Sequence, residues 1–511
     1  MASVASDPTF YIIFRKMDRN EIAAKARQME TKGDLLDLLN RMKREEMTEE
    51  GMADRFYPFT IRHLYYYCNP NNQFHRYKQF GVKKKSGGIR QITAPRNKSF
   101  KLILHYVNEI FKALYTPSDY AMGFASGRSV AQNAAVHVGQ NYVFNTDLKD
   151  FFPSIHQARV WKRLQLEPFC FKQSIANILA GLCSMKEKLE DGTRRYVLPQ
   201  GAPTSPIVTN MICDKLDHRL AGLAKRFGLK YSRYADDITF SSMHNVYQLE
   251  GDFRKELKRI IESQGFAMNE SKTRLQKRGE RQEVTGITVS DKLNVSQKYV
   301  RDIRNVLYIW EEYGYTIALN RFLPKYKQEK GHVKKGIPDM TNVLEGKLLY
   351  LKMVKGQDDS VYIRLKSKFD KLVRSMLASQ KTTSHGITYV ETMPVLEFER
   401  RNNTEIFITT SKPNPNKLND NVAQIEDGNF IPHRYAYFSL GGRKHKASVN
   451  KSLPNEYEQQ KGLLSISCCR DSKGILFWLI HRSDKVTVPP RQDTVDIDNL
   501  NHELDNFLNE E

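Results

Sequence analysis

Apolar and polar positions alternate along this chain with periods that change several times. To about residue 55 the sequence is charged, and Leu35, Leu36, Leu38, Leu39 and Met42 form one apolar stripe at helical spacing. Residues 82–92 place apolar and polar side chains on either side of Gly87-Gly88, the pattern of a hairpin with a basic tip. Phe100 to Leu114 predicts a helix, and Tyr142-Val143-Phe144 a short strand ending at Asp147. Residues 157–188 and 206–227 read as helices, the second opened by Pro206. Tyr231–Tyr234 and Ile238–Phe240 are strand-like about a turn at Ala235-Asp236-Asp237. Phe253, Leu257, Ile260 and Ile261 mark an amphipathic helix, and a short strand is expected at 265–268. Residues 296–375 are mostly helical in pattern, and 379–386 is a polar break. Beyond it Val395–Phe398, Ile406–Thr409, Leu463–Cys468 and Ile475–Ile480 read as strands.

These periods divide the 511 residues into a helical extension (1–55), a mixed region (56–295), a basic helical region (296–378) and a β-rich C-terminal region (387–511). Charge follows the same division. The net is +22, yet residues 381–511 hold 16 Lys+Arg against 18 Asp+Glu, leaving 64 against 40 before them. A basic body of that size is the footprint of a polyanion binder, most often nucleic acid. No apolar run reaches the roughly 18 residues of a membrane span, and Phe10 to Phe14 is too short for a secretory core. The six cysteines form no C-x-x-C pair, which argues against a zinc ribbon or disulfide framework and for a reducing cytoplasm.

Asp236 and Asp237 repel each other in a turn that needs neither for packing. A divalent cation is their natural relief, and Asp147 at a strand end is placed to be a third oxygen ligand of the kind Mg²⁺ takes. Two such ions can activate a hydroxyl and stabilise leaving pyrophosphate.

The surrounding residues resemble the palm of a reverse transcriptase. Asn145-Thr146-Asp147-Leu148-Lys149-Asp150-Phe151-Phe152 is similar to the family's first carboxylate motif. Leu198-Pro199-Gln200-Gly201-Ala202-Pro203-Thr204-Ser205-Pro206 is similar to its substrate loop, and Tyr234-Ala235-Asp236-Asp237 to its Tyr-x-Asp-Asp box. Lys85-Ser86-Gly87-Gly88-Ile89-Arg90 matches the fingers hairpin and Asn269-Glu270-Ser271-Lys272-Thr273 the lysine segment. Asn133-Ala134-Ala135-Val136-His137 and Val284-Thr285-Gly286 resemble two signatures of bacterial retron reverse transcriptases.

The resemblance covers roughly residues 60–375 and implies an α+β right-hand polymerase: fingers, a palm with an antiparallel sheet, and a helical thumb, with a β-rich C-terminal domain added. It implies that Asp147, Asp236 and Asp237 hold two Mg²⁺ ions. Lys85 and Arg90 would clamp the triphosphate, and Phe152 would exclude a ribose 2′-OH. Gln200 and Gly201 would lie against the nucleotide, and Lys272 would serve the departing pyrophosphate. Asn133, His137, Val284, Thr285 and Gly286 would take part in RNA recognition. The implied activity is RNA-directed DNA synthesis on a structured non-coding RNA. Priming from an internal guanosine 2′-OH would give branched RNA–DNA (msDNA), and the implied setting is antiphage defence. Deoxynucleoside triphosphates, template and product would be its partners, with an effector protein and no membrane. A group II intron-like or defence-associated reverse transcriptase with other priming, and a non-catalytic nucleic-acid-binding protein, are the rival readings. Residues 387–511 hold no catalytic motif; a fused effector, a binding module and a scaffold all fit them.

Overall fold

The computed structural model describes residues 17–83, 87–188, 192–330, 339–379, 388–410, 422–426, 429–432, 434–440, 443–449, 461–470 and 476–482. Lys85, at the tip of the expected basic hairpin, lies outside them, as do 380–387 of the polar break. The chain forms two compact units, Met1–Asn294 and Val295–Glu511.

The first unit opens with α1 (Arg19–Arg27), whose N-cap Asp18 accepts from the Glu21 amide, and α2 (Lys32–Glu49), closed by a Thr31–Asp34 capping box. The apolar stripe expected on α2 is inward: Leu35, Leu38, Leu39 and Met42 are buried. Next come α3 (Ile61–Cys68), α4 (Gln73–Arg76), the hairpin β1 (Tyr77–Lys83) with β2 (Ile89–Pro95), α5 (Lys98–Leu114) and α6 (Val130–Ala135). The strand β3 (Tyr142–Asp147) leads into α7 (Gln157–Leu164), α8 (Gln173–Cys183), the hairpin β4 (Met185–Lys188) with β5 (Arg194–Val197), and α9 (Ser205–Arg226). The unit ends with β6 (Lys230–Tyr234), β7 (Asp237–Ser242), α10 (Asp252–Ser263), β8 (Arg274–Lys277), β9 (Glu283–Val284) and β10 (Ile287–Thr288). Its central sheet runs β6-β7-β3-β8 with every pair antiparallel. Phe144 and Phe240, paired across β3 and β7, are fully buried and stack edge-on against Phe253 of α10.

The second unit holds α11 (Gln297–Tyr313), α12 (Tyr315–Lys330), α13 (Met340–Lys355) and α14 (Ser360–Ser379). After them come β11 (Thr388–Pro394), α15 (Val395–Asn402), β12 (Phe407–Thr410), β13 (Val422–Glu426), β14 (Asn429–Pro432), β15 (Arg434–Leu440), β16 (Arg443–Val449), β17 (Leu464–Arg470) and β18 (Leu476–Arg482). Six of these strands form one sheet, ordered β11-β17-β18-β16-β15-β12. The architecture is α+β: a palm sheet with fingers elements, a helical thumb, and an additional C-terminal sheet. Among the described residues no helix is long and apolar enough to cross a membrane.

Three local expectations are corrected. Residues 157–188 are two helices and a strand, because Pro168 has no amide to continue a helix and Met185–Lys188 pairs with β5. The stretch 265–268 makes only a single bridge, Leu148 to Met268. Val395–Phe398 lies in α15. Val395 and Phe398, three apart, are both buried, which suits a helix face, and Phe398 packs edge-on against Phe438 and Trp478.

Candidate active site

The palm register brings the three aspartates together. Asp147 ends β3 directly opposite Asp237, the first residue of β7, and Asp237 also pairs with Tyr234 at the end of β6. The turn is therefore the two residues Ala235 and Asp236, one shorter than the sequence pattern suggests. Ala235 has φ 58°, a left-handed backbone that costs a residue with a Cβ about 1 kcal/mol. The Leu148 amide donates to the Asp236 carbonyl at 3.0 Å, pinning the turn to the end of β3.

Asp147 is 7 % exposed, and its Oδ1 accepts from Lys272 Nζ at 2.9 Å and Asn269 Nδ2 at 3.2 Å. The Asn269 amide also donates to the Asp147 carbonyl at 2.8 Å, so the lysine segment is held against the strand end through backbone and side chain. Burial, and then the Asp147 charge, push the Asp236 carboxyl above its ordinary range. Burial followed by Asp236 and Asp147 raises Asp237 to about 6. Asp147 is buried, Asp236 half-buried and Asp237 exposed, and the three acidic side chains stand beside one ammonium, that of Lys272.

Among the described residues no three His, Cys, Asp or Glu side chains stand in a ready metal-holding cluster, and Lys272 is the cation that Asp147 holds here. The donor chemistry nevertheless fits a hard divalent cation: oxygen ligands only, with mutual repulsion that a single ammonium leaves uncompensated.

The other expected residues divide by burial. Arg90 is exposed on β2, paired with Val82. Phe152 is half-buried, its ring centroid 5.5 Å from that of Phe151 and 6.4 Å from that of Phe124. The Gln200 carbonyl accepts from the Thr93 amide at 2.8 Å. At Gly201, φ 128°, a Cβ would come within 2.9 Å of Ile92 Cγ2 and 3.0 Å of the Thr93 oxygen, so its missing side chain admits the fingers strand β2.

Of the residues expected to take part in RNA recognition, Asn133, His137 and Val284 face inward. All three are buried in the chain, at 1 %, 0 % and 0 % exposure. His137 bonds Ser241 Oγ at 2.7 Å and Ser232 Oγ at 2.8 Å through its two ring nitrogens, and burial lowers its pKa to about 3. Ser232 donates to Asn133 Oδ1 at 2.7 Å, and Asn133 Nδ2 reaches Thr285 Oγ1 at 3.4 Å. The two sequence signatures meet as one polar network joining α6, the palm strands and the β9–β10 turn. That turn needs left-handed backbone at both Thr285 (φ 49°) and Gly286 (φ 84°); Thr285 is half-buried and Gly286 exposed.

Sequence reasoning missed the residues beneath the turn. Arg233 and Asp217, both with fully buried side chains, pair through Nε–Oδ1 and Nη2–Oδ2, each 2.7 Å. Arg233 also donates to the Ala235 carbonyl at 3.0 Å and to Asn210 Oδ1 at 3.1 Å. Asn210 in turn donates to the Gly123 carbonyl at 3.0 Å. A Cβ at Gly123 would lie 2.5 Å from the Ala235 nitrogen, and the next residue, Phe124, has φ 61° and is 42 % exposed. An arginine directly before the Tyr-x-Asp-Asp box was the one signal available. Its partner sixteen residues upstream was not.

The palm sheet thus sets carboxylates at the end of β3 and at the β6–β7 turn side by side. Comparison with known proteins is specific. Residues 82–289 match the reverse transcriptase (RNA-dependent DNA polymerase) family, whose members use divalent metal ions. The chain is 39 % identical over 259 residues to the retron Mx65 reverse transcriptase of Myxococcus xanthus, covering 48 % of this chain and 59 % of that protein. It is 34 % identical over 233 residues to the retron Ec86 reverse transcriptase of Escherichia coli, covering 45 % and 68 % respectively. The match thus spans little more than half of the Mx65 protein. A solved telomerase from Candida albicans, in complex with a fragment of telomeric RNA, aligns at TM-score 0.32 and 13 % identity over 69 % of this chain and 76 % of that one, a likeness too slight to argue from. The chain belongs to the bacterial retron-type reverse transcriptase family.

Proposed function

We propose that this protein is an RNA-directed DNA polymerase of retron type, copying part of a cognate structured RNA from an internal guanosine 2′-OH into branched RNA–DNA. The observation that carries the reading is the apposition of Asp147 with Asp236 and Asp237, inside a chain of this family. Asp147, Asp236 and Asp237 would hold two Mg²⁺ ions, which when bound supply charge neutralisation and hydroxyl activation. In each addition a primer hydroxyl oxygen bonds to the α-phosphorus of a deoxynucleoside triphosphate. The bond from that phosphorus to the bridging oxygen breaks, pyrophosphate leaves with the electron pair on that oxygen, and the hydroxyl proton passes to solvent.

The chain's own residues orient and select. Arg90 offers a two-pronged donor to the triphosphate, and Lys85 would add a point charge. Phe152, steadied by Phe151 and Phe124, would set its ring against the incoming sugar and exclude a ribose 2′-OH. Lys272 stands close enough to the aspartates to exchange Asp147 for a departing pyrophosphate oxygen. Phosphate contacts from the basic helices α11 to α14 hold a duplex without reading its sequence. Thr285 and Gly286, at the partly open end of the buried network, are the signature residues best placed to meet RNA.

The test is to purify the protein from its native operon and sequence the nucleic acid that accompanies it. DNA joined through a 2′ linkage to a small RNA supports the reading, and exclusively linear products overturn it. The implied role in antiphage defence is tested by plaque counts on cells with and without the operon.

A further inference from the structure

The C-terminal sheet has no role in the chemistry above, yet it supplies what the thumb helices lack. Every helix start leaves backbone N–H groups unmet unless a cap accepts them. Helix α12 begins one residue after α11 ends, with Gly314 (φ 89°) as the only residue between them and no side chain there to cap. Its acceptor comes from β11: Glu391 Oε2 takes the Thr316 amide at 2.6 Å and the Thr316 hydroxyl as well. A Cβ at Gly314 would lie 2.6 Å from Glu391 Oε1, so the carboxyl group fills the place of the missing cap. Its acidic group also sits at the positive end of the helix dipole.

Helix α13 is tied in a second way. Its N-cap Asp339 accepts from the Thr341 amide at 2.9 Å through Oδ1. Its other oxygen stands 2.7 Å from an Arg470 nitrogen of β17, in a pair whose side chains are 9 % and 24 % exposed. Asn320 of α12 donates to Asn402 of α15 at 3.2 Å, and α14 packs on β11. The adjoining strands β11 and β17, with α15, therefore engage three of the four thumb helices, two of them at their first turn.

We propose that the C-terminal domain is a thumb brace, a processivity element that fixes α12 and α13 so that the thumb keeps its grip on template and primer through successive additions. This rests on the polymerase reading, so the experiment separates the two. Full-length wild type is compared with Glu391→Ala, Arg470→Ala, their combination, and Ser439→Ala, an exposed control on β15. Hydrogen exchange reads the first turns of α12 and α13. A primed RNA template with a heparin trap reads product length per binding event, and single-nucleotide addition reads the chemistry.

The expected result for the double variant is about tenfold faster exchange in both first turns and products at least several-fold shorter. Single additions at saturating template should stay within about twofold of wild type, and Ser439→Ala should change nothing. Unchanged exchange, or unchanged product length despite faster exchange, overturns the brace. If wild type itself makes no DNA on RNA, the polymerase reading fails, and unchanged exchange alone then sinks the mechanical claim. Should Glu391→Ala misfold, Glu391→Gln keeps an acceptor oxygen and is expected to retain near-normal product length; collapse of that variant as well refutes the cap.

Discussion

Asp217 and Arg233 offer the sharpest separation of stability from catalysis. The Asp217 carboxylate accepts two bonds from Arg233 at 2.7 Å and one from the Tyr231 hydroxyl at 2.8 Å, all buried, and one from the half-buried Ser118 hydroxyl at 3.2 Å. Asp217→Leu leaves a buried guanidinium without its counter-charge, which costs about 3–5 kcal/mol. Adding Arg233→Met removes that stranded charge. What then remains unpaired is the Tyr231 hydroxyl, the Asn210 side-chain oxygen and the Ala235 carbonyl, each worth about 1 kcal/mol. The double variant should thus sit about 1 kcal/mol above the single one in urea melts, and adding Arg233→Met alone completes a double-mutant cycle that gives the coupling. Catalysis should not recover with it. The Ala235 carbonyl has lost the Arg233 donor that holds the turn carrying Asp236, and a displacement of about 1 Å there costs on the order of 100-fold in turnover. The assay is kcat for single-nucleotide addition in both variants, with the nucleotide KM as control. Recovery of kcat to within about threefold of wild type in the double variant refutes the positioning argument. A single-variant loss below about 1 kcal/mol refutes the energetics.

Three further outcomes are expected. Asp236→Asn should abolish DNA synthesis while binding of the cognate RNA, measured by filter retention, stays within about threefold; full activity would remove the metal assignment. Phe124→Ala withdraws the ring that packs on Phe152, and should raise ribonucleotide incorporation relative to deoxynucleotide by about tenfold in kcat/KM competition, mostly through the ribonucleotide KM; an unchanged ratio separates Phe124 from selection. His137 has a folded-state pKa of about 3 against the ordinary 6.5, so between those values the unfolded chain binds a proton that the folded one refuses. Its contribution to stability is intact above about pH 6.5 and is lost at up to roughly 1.4 kcal/mol per pH unit as pH falls. His137→Gln should flatten that slope in melts from pH 7 to 5, and an equal slope in both proteins would show that other groups set it.

The palm strands β3, β6 and β7 and helices α5, α9 and α10 were legible because each carries one apolar period bounded by its own stop signals. Where two periods fit the same letters, the sequence could not choose. Val395–Phe398 suits a short strand, and it became a helix because Phe398 lands against Phe438 and Trp478, forty and eighty residues away. Residues 157–188 looked continuous because an apolar helix and an apolar strand share composition, and only pairing with β5 reveals the strand.

The site divides in the same manner. Which carboxylates come together was written in the order of short motifs at a strand end and a turn. The Asn133–His137 and Val284–Gly286 signatures were visible, but not that folding joins them. Two segments about 150 residues apart meet in one network whose buried members face serines and not solvent. By itself the sequence determined membership of this family, the three aspartates of its motifs and a basic body with a differently charged tail, because those properties are local. Only the tertiary structure decided the Asp217–Arg233 pair beneath the turn and the Glu391 carboxylate at the start of α12. Both are contacts between side chains whose chemistry is ordinary until the fold buries them together.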